Sequence, residues 1–211
     1  VIRYCVLLCL SVLLPAQLLS AQDAAKAAPD HSTAPVYTTD GRLVFPEDYR
    51  EWIYLTTGMD MDYNPDPAMA GHSMFDNVFV NPEAYKAFVA TGSWPNGTML
   101  MLEGRMAANK GSINKAGHFQ TNDVMMRSVH VKDARFAGGW AFFSFDEGKP
   151  AKQIPKEAVC YSCHEQHAAV DTTFVQFYPT LLEIAKAKGT LAPGYKKEEA
   201  AAAASASTKK D

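Results

Sequence analysis

The residues with the most definite chemistry lie near the carboxyl end, where Cys160, Tyr161, Ser162, Cys163 and His164 spell C-x-x-C-H. On a helix, side chains three and four positions apart share a face. Two thiols at that spacing reach the two vinyl-derived carbons of one porphyrin while the adjacent imidazole points at the metal, the arrangement that attaches c-type haem. With 4 Cys and 6 His in 211 residues, a chance match anywhere in the chain is about 2 in 1,000. Other uses of a C-x-x-C pair ask for more: a thioredoxin-like redox site needs a preceding strand in a parallel sheet, and a zinc site needs further donors such as a second Cys pair. The expectation is one covalently bound haem c, with Cys160 and Cys163 as attachment points and His164 as the iron ligand.

What faces the iron from the other side separates electron transfer from small-ligand chemistry. All nine methionines precede the motif, so no downstream loop supplies a methionine ligand. His167, the later histidine, lies three residues beyond His164 on the same side of a helix. A sixth ligand therefore has to come from upstream, where the candidates are His72, His118, His130, Met99, Met101, Met125 and Met126. Each also has a packing reading, because strand methionines usually fill cores and a single strand histidine is usually a hydrogen-bonded structural residue. The expected state is an open or water-bound sixth position. Phe79, Phe142, Phe143 and Phe145 either wall it or pack the sheet.

The site needs a compartment and a scaffold. Residues 4–14 form an apolar run after Arg3 and before Pro15, with Ser20 and Ala21 beyond it. This is the layout of a secretory signal cleaved near Ala21, so the expectation is an exported, periplasmic protein. An uncleaved anchor and a buried core helix are the alternatives. Cleavage removes Cys5 and Cys9 and leaves the motif thiols in an oxidising compartment. The 20 basic and 23 acidic residues give a net charge of -3 with no broad basic surface, which argues against nucleic acid as a partner. The 47% hydrophobic content suits one ordinary domain. Its expected bounds are 41–190, after a signal at 1–21 and a flexible linker at 22–40, and before a disordered tail at 191–211, with a last helix extended by the Ala run as the alternative for that tail. No internal repeat is found.

Within the domain, Pro46 followed by Glu47 and Asp48 predicts a helix start, with Tyr49, Trp52 and Ile53 on its buried face. A second helix opens at Asn81, Pro82 and Glu83, carries Tyr85, Phe88 and Val89 inward, and stops at Gly92. Strands are predicted at 75–80, 98–106, 123–131 and 139–145, joined by turn-forming clusters at 94–97 and 109–117. Pro179 opens a last helix that Gly189 ends. The class is α+β, a mainly antiparallel β-sheet with flanking helices and a C-terminal haem-binding helical segment.

Several stretches around the motif then gain meaning together. Tyr49-Arg50-Glu51-Trp52, Val80-Asn81-Pro82-Glu83-Ala84-Tyr85, Thr91-Gly92, Gly97-Thr98, Val131-Lys132-Asp133 with Phe136, and 139–145 precede Cys160 to His164, and 174–179 follow. In this order and spacing the chain resembles the cytochrome P-460 family, which includes cytochrome c′-beta, over about residues 42–182. The resemblance implies a proximal histidine, an open distal side and a homodimer. It also implies a lysine cross-linked to the porphyrin edge in members that oxidise hydroxylamine and nitric oxide. At the matching position, just before Glu103, stands Leu102, which has no nitrogen for that bond; the cross-link is expected to be absent and the chain to be closer to the cytochrome c′-beta type. Lys110 or Lys115 replaces it only if its loop folds back onto the haem. Ser128 falls roughly where those enzymes have a distal carboxylate, and His130, on the same strand face, is a candidate distal proton carrier or a structural residue.

Three functions remain at this point. One is a ligand-binding cytochrome for nitric oxide, carbon monoxide or peroxide, serving sensing, scavenging or redox buffering, which the Leu102 and Ser128 departures favour. Another is an oxidoreductase acting on hydroxylamine or nitric oxide, with a redox partner protein to take the electrons. The third is simple electron transfer, which needs two fixed axial ligands that the downstream sequence does not provide.

Overall fold

The computed structural model describes residues 33–61 and 73–207. The signal-like run, Cys5, Cys9 and the cleavage site near Ala21, together with His72, fall outside the described residues. Five strands form one antiparallel sheet in sequence order: β1 (Ile53–Met59), β2 (Met74–Val80), β3 (Met99–Ala108), β4 (Phe119–Lys132) and β5 (Trp140–Ser144). Helix α1 (Pro82–Thr91) connects β2 to β3, and α2 (Val159–His167), α3 (Pro179–Lys188) and α4 (Pro193–Ser207) follow the sheet. The α+β class expected from the sequence is the class observed.

Each sheet face buries its own cluster. On one face Val80, Leu100 and Trp140 pack against Phe88 of α1, Leu181 and Ala185 of α3, and Tyr195 of α4. On the other, Met99, Met101, Val129, Val131 and Phe143 are covered by Leu43, Tyr49, Trp52 and Ala151 from irregular chain. The helix ends follow local chemistry. Gly92 and Gly189 close α1 and α3 in the left-handed conformation, at φ 76° and 72°. Gly92 is also sterically required, since a Cβ there would sit 2.6 Å from the Cβ of Lys188. Asn81 precedes Pro82 but does not cap α1 with its side chain. Its Oδ1 instead accepts the Met99 N–H at 2.8 Å and its Nδ2 donates to the Gly97 carbonyl at 3.2 Å, tying α1 to the start of β3.

Three expectations are corrected. The helix predicted from Pro46 is a three-residue 3-10 turn, Tyr49–Glu51, followed by strand β1. Tyr49 and Trp52 are buried as expected, but Thr56 and Thr57 favour the pleated backbone that pairs with β2. Residues 33–40, assigned to the flexible linker, are packed: Tyr37 bridges to Leu43, its hydroxyl donates to Asp133 at 3.3 Å, and Arg135 lies over its ring. Most of the expected disordered tail is helix α4. Its Tyr195 is buried in the core, and Glu198 meets His167 of α2 at 2.7 Å. These two contacts hold the first turns of α4 to the domain, and its Ala-rich remainder is exposed.

Candidate haem site

The C-x-x-C-H motif forms helix α2, as its spacing requires, and Cys160 and Cys163 are both free thiols, each half-buried. Tyr161 anchors this helix to the sheet. Its buried hydroxyl donates to the Ile154 carbonyl at 3.0 Å and accepts the Phe142 N–H at 3.2 Å, while its ring meets Phe142 edge-on at 4.9 Å. Burial raises the Cys160 thiol pKa, so the thiol is protonated at neutral pH.

Cross-strand register shows what lies on the sheet face that α2 covers. Phe142 pairs with His130, and His130 with Leu100. One row on, Ser144 pairs with Ser128, Ser128 with Leu102, and Leu102 with Val78. Directly opposed residues share a face, so Leu102, Ser128 and His130 all lie on the side of α2. Val78, Leu102 and Ser128 are half-buried, a partly open apolar strip beside the helix that carries the two thiols.

His164 is the best-defined group in this arrangement. Its Nδ1 is 2.7 Å from the backbone oxygen of Thr172, which leaves Nε2 free of protein partners in the described contacts. Since a carbonyl only accepts, Nδ1 carries the proton and Nε2 carries the lone pair. The ring is held by Phe174 at 4.2 Å and by Phe142 at 4.8 Å between centroids. Burial pulls its pKa below the usual histidine value, against the Thr172 hydrogen bond, which works the other way. The imidazole is therefore neutral at neutral pH, the form that binds metals.

His130 touches the same ring. The two imidazole centroids are 5.2 Å apart and nearly perpendicular. His130 stacks on Phe142 at 3.9 Å, packs against Trp140 at 4.4 Å, and has its Nε2 3.3 Å from the Thr172 hydroxyl. Desolvation, reinforced by His164 and Lys156 nearby, drives its pKa well below the histidine value, so it too is uncharged.

The remaining candidates are dispersed. His118 is exposed in the loop before β4, with Lys110 and Lys115 also exposed in that loop. Met99 and Met101 are buried in the opposite core, as are Phe143 and Phe145, with Phe79 packed against them; of the four aromatics considered, Phe142 reaches His164. Met125 is exposed. Met126 pairs with Gly104, and a Cβ at that glycine would lie 2.7 Å from the Met126 Cγ. His167 bonds Glu198. Sequence reasoning missed Thr172 and the turn that holds it, although the polar triplet Asp171, Thr172, Thr173 is a turn signal.

The Cytochrome P460 family model matches residues 46–175, a span that contains all five strands and the whole of the C-x-x-C-H motif. The chain belongs to the cytochrome P460 family. A search of curated proteins finds no match. As a cytochrome P460 family member the protein is a haem cytochrome. Its residues fit that group: a half-buried neutral imidazole with one nitrogen committed to a carbonyl and the other without a partner among the described residues, beside two free thiols on the same helical segment, next to a partly open apolar sheet face.

Proposed function

We propose that the protein is an exported mono-haem c-type cytochrome whose haem is bound through thioether links to Cys160 and Cys163, with His164 as the axial ligand and an open sixth position for small ligands such as nitric oxide, carbon monoxide or peroxide. The observation that carries this reading is the Nδ1 bond from His164 to Thr172, because it fixes the tautomer that offers Nε2 to iron. When bound, the haem iron supplies reversible ligand binding and one-electron redox chemistry.

The chain's own residues do the rest. Tyr161 fixes the helix that bears the thiols, Phe174 and Phe142 orient the imidazole, and the Val78, Leu102 and Ser128 strip supplies apolar contact for a porphyrin while excluding water from it. No lysine stands at position 102, which favours the ligand-binding role over hydroxylamine or nitric oxide oxidation. His130 stands against the proximal imidazole with its Nε2 engaged by Thr172, so we assign it to the proximal side rather than to distal proton transfer. Export, homodimer formation and exchange of electrons with a redox partner protein belong to the same reading. No helix among the described residues is long and apolar enough to cross a membrane.

The test is the absorption spectrum of the purified protein, ferric and ferrous, with and without carbon monoxide and hydroxylamine. The expected result is a Soret band that survives acid–acetone extraction, a high-spin ferrous spectrum, and carbon monoxide binding without loss of a protein ligand. A low-spin six-coordinate ferrous spectrum rules out the open position. Steady reduction of an artificial acceptor by hydroxylamine moves the assignment to the oxidase.

A further inference from the structure

The backbone oxygen that receives His164 belongs to an unusual turn. Val170 and Thr173 exchange backbone hydrogen bonds, 2.9 Å from the Thr173 N–H and 3.3 Å from the Val170 N–H, leaving Asp171 and Thr172 as a two-residue loop. Asp171 takes a positive φ of 52°. A non-glycine residue there carries a steric cost and persists only when its surroundings hold it. Here they do so through one strand. The Asp171 carboxylate accepts from Lys132 Nζ at 2.8 Å, and that ammonium also donates to the Trp94 carbonyl at 2.9 Å. Two residues back on β4, His130 meets the Thr172 hydroxyl. The buried Thr173 hydroxyl accepts the Trp94 indole N–H at 2.8 Å. The turn is thus clamped to the sheet by residues 39 and 42 positions away in sequence.

Resting on the haem reading above, we propose that the turn at 170–173, tethered to strand β4 by Lys132 and His130, sets the hydrogen bond from His164 Nδ1 to the Thr172 carbonyl, and thereby the donor strength of the proximal imidazole toward iron. Lys132, His130 and Thr172 are positioning residues. They touch neither iron nor ligand, but fix the direction and length of the bond that gives the imidazole partial anionic character. A strong bond of this kind makes the imidazole a better donor and favours the ferric state. A loosened turn lets the carbonyl swing away, which weakens the iron–imidazole bond and raises the reduction potential.

The experiment compares the holoprotein with Thr172→Val, Thr172→Ser, Lys132→Met and the double variant Thr172→Val/Lys132→Met. The readouts are the ferrous iron–histidine stretching frequency by resonance Raman and the midpoint potential, with haem content checked by mass and pyridine haemochrome. Leu181→Ala, which loosens the same core cluster away from the turn, is the stability control. The expected result is a downshifted stretch and a raised potential for Thr172→Val and Lys132→Met, larger in the double variant, near wild-type values for Thr172→Ser, and no shift for Leu181→Ala despite its lower melting temperature. If the turn variants lose stability while stretch and potential stay at wild-type values, the turn is merely structural and the proposal is overturned, with the haem assignment intact. If Leu181→Ala shifts both readouts equally, the effect is general loosening and the proposal is likewise overturned. If the wild-type protein carries no haem at His164, both readings fall.

Discussion

Replacing Glu103 by leucine tests how the strand beneath the site is held. Glu103 lies between Leu102 and Gly104 on β3, so its side chain projects from the sheet face opposite the thiols, where it is fully buried. Its carboxylate accepts from the Tyr49 hydroxyl, from Arg50 at 2.8 Å and from Arg105 at 2.6 Å. Burial raises the carboxyl pKa, but the bonds from Arg105 and Tyr49 and the charges of the two arginines outweigh it and leave it lowered. Leucine of similar size removes the charge with little cavity. The Arg50 side chain is 50% exposed and rehydrates, losing about 0–1 kcal/mol. The buried Tyr49 hydroxyl is orphaned at about 1–3 kcal/mol. Arg105, with 16% side-chain exposure, keeps a bond to the Thr121 carbonyl at 3.2 Å, so its loss is nearer 1 kcal/mol, the net worth of one hydrogen bond. The sum is about 3 kcal/mol, the low end expected for breaking a buried ion pair. In a domain of this size that lowers the melting temperature by about 6–12 °C. Differential scanning calorimetry at pH 7, beside Glu103→Gln, measures it, and the glutamine variant loses less because it keeps a neutral acceptor for Tyr49. A group with a lowered folded pKa stabilises above its unfolded pKa and stops doing so as pH falls through the folded value. The gap between wild type and Glu103→Leu therefore narrows below the ordinary glutamate value of 4.5. A loss under about 1 kcal/mol at pH 7, a surface-pair value, refutes the reasoning, as does a gap that persists unchanged in acid.

Two further outcomes follow from the site itself. Tyr161→Phe removes a hydroxyl that satisfies both the Phe142 N–H and the Ile154 carbonyl; the expected loss is about 1–3 kcal/mol by chemical denaturation, with both thioethers still formed by mass, whereas an unchanged midpoint shows that the tyrosine does not anchor α2. Leu102→Lys places an amine on the half-buried strip that faces the α2 side of the sheet; if that strip is the haem bed, peptide mapping finds a cross-linked porphyrin or the Soret band shifts to the red, and an unperturbed spectrum shows that residue 102 does not reach the haem.

What the sequence conveyed well was chemistry carried by neighbours along the chain. The motif predicted α2 because helical spacing is a local property. Asn81-Pro82 with Gly92, and Pro179 with Gly189, bounded α1 and α3 for the same reason. Four of the five strands stood out as apolar runs between turn residues. Strand β1 did not, because Tyr49, Trp52 and Ile53 recur at helical spacing although the first two belong to a turn and an irregular residue that fold over one sheet face while Ile53 begins the strand. The Ala run offered α4 only as an alternative to disorder, because its core contact, Tyr195, sits among alanine and charge. Least legible was the environment of His164. Strand alternation put His130 on a sheet face, but nothing local tells that this face meets the imidazole of His164, or that Lys132 reaches a carboxylate on the turn that bonds it.

The register also changes what the two departures from the family pattern mean. By resemblance, Leu102 stands for the lysine and Ser128 for the distal carboxylate, and in sequence these look like independent losses. In the sheet they are direct cross-strand partners on one face, so the side chains at 102 and 128 share one environment. Neither Leu102 nor Ser128 carries a charge. On the proposed reading, the strip of Val78, Leu102 and Ser128 offers one hydroxyl and no charge beside the helix that carries the thiols, which suits a neutral diatomic ligand more than a reaction that must move protons.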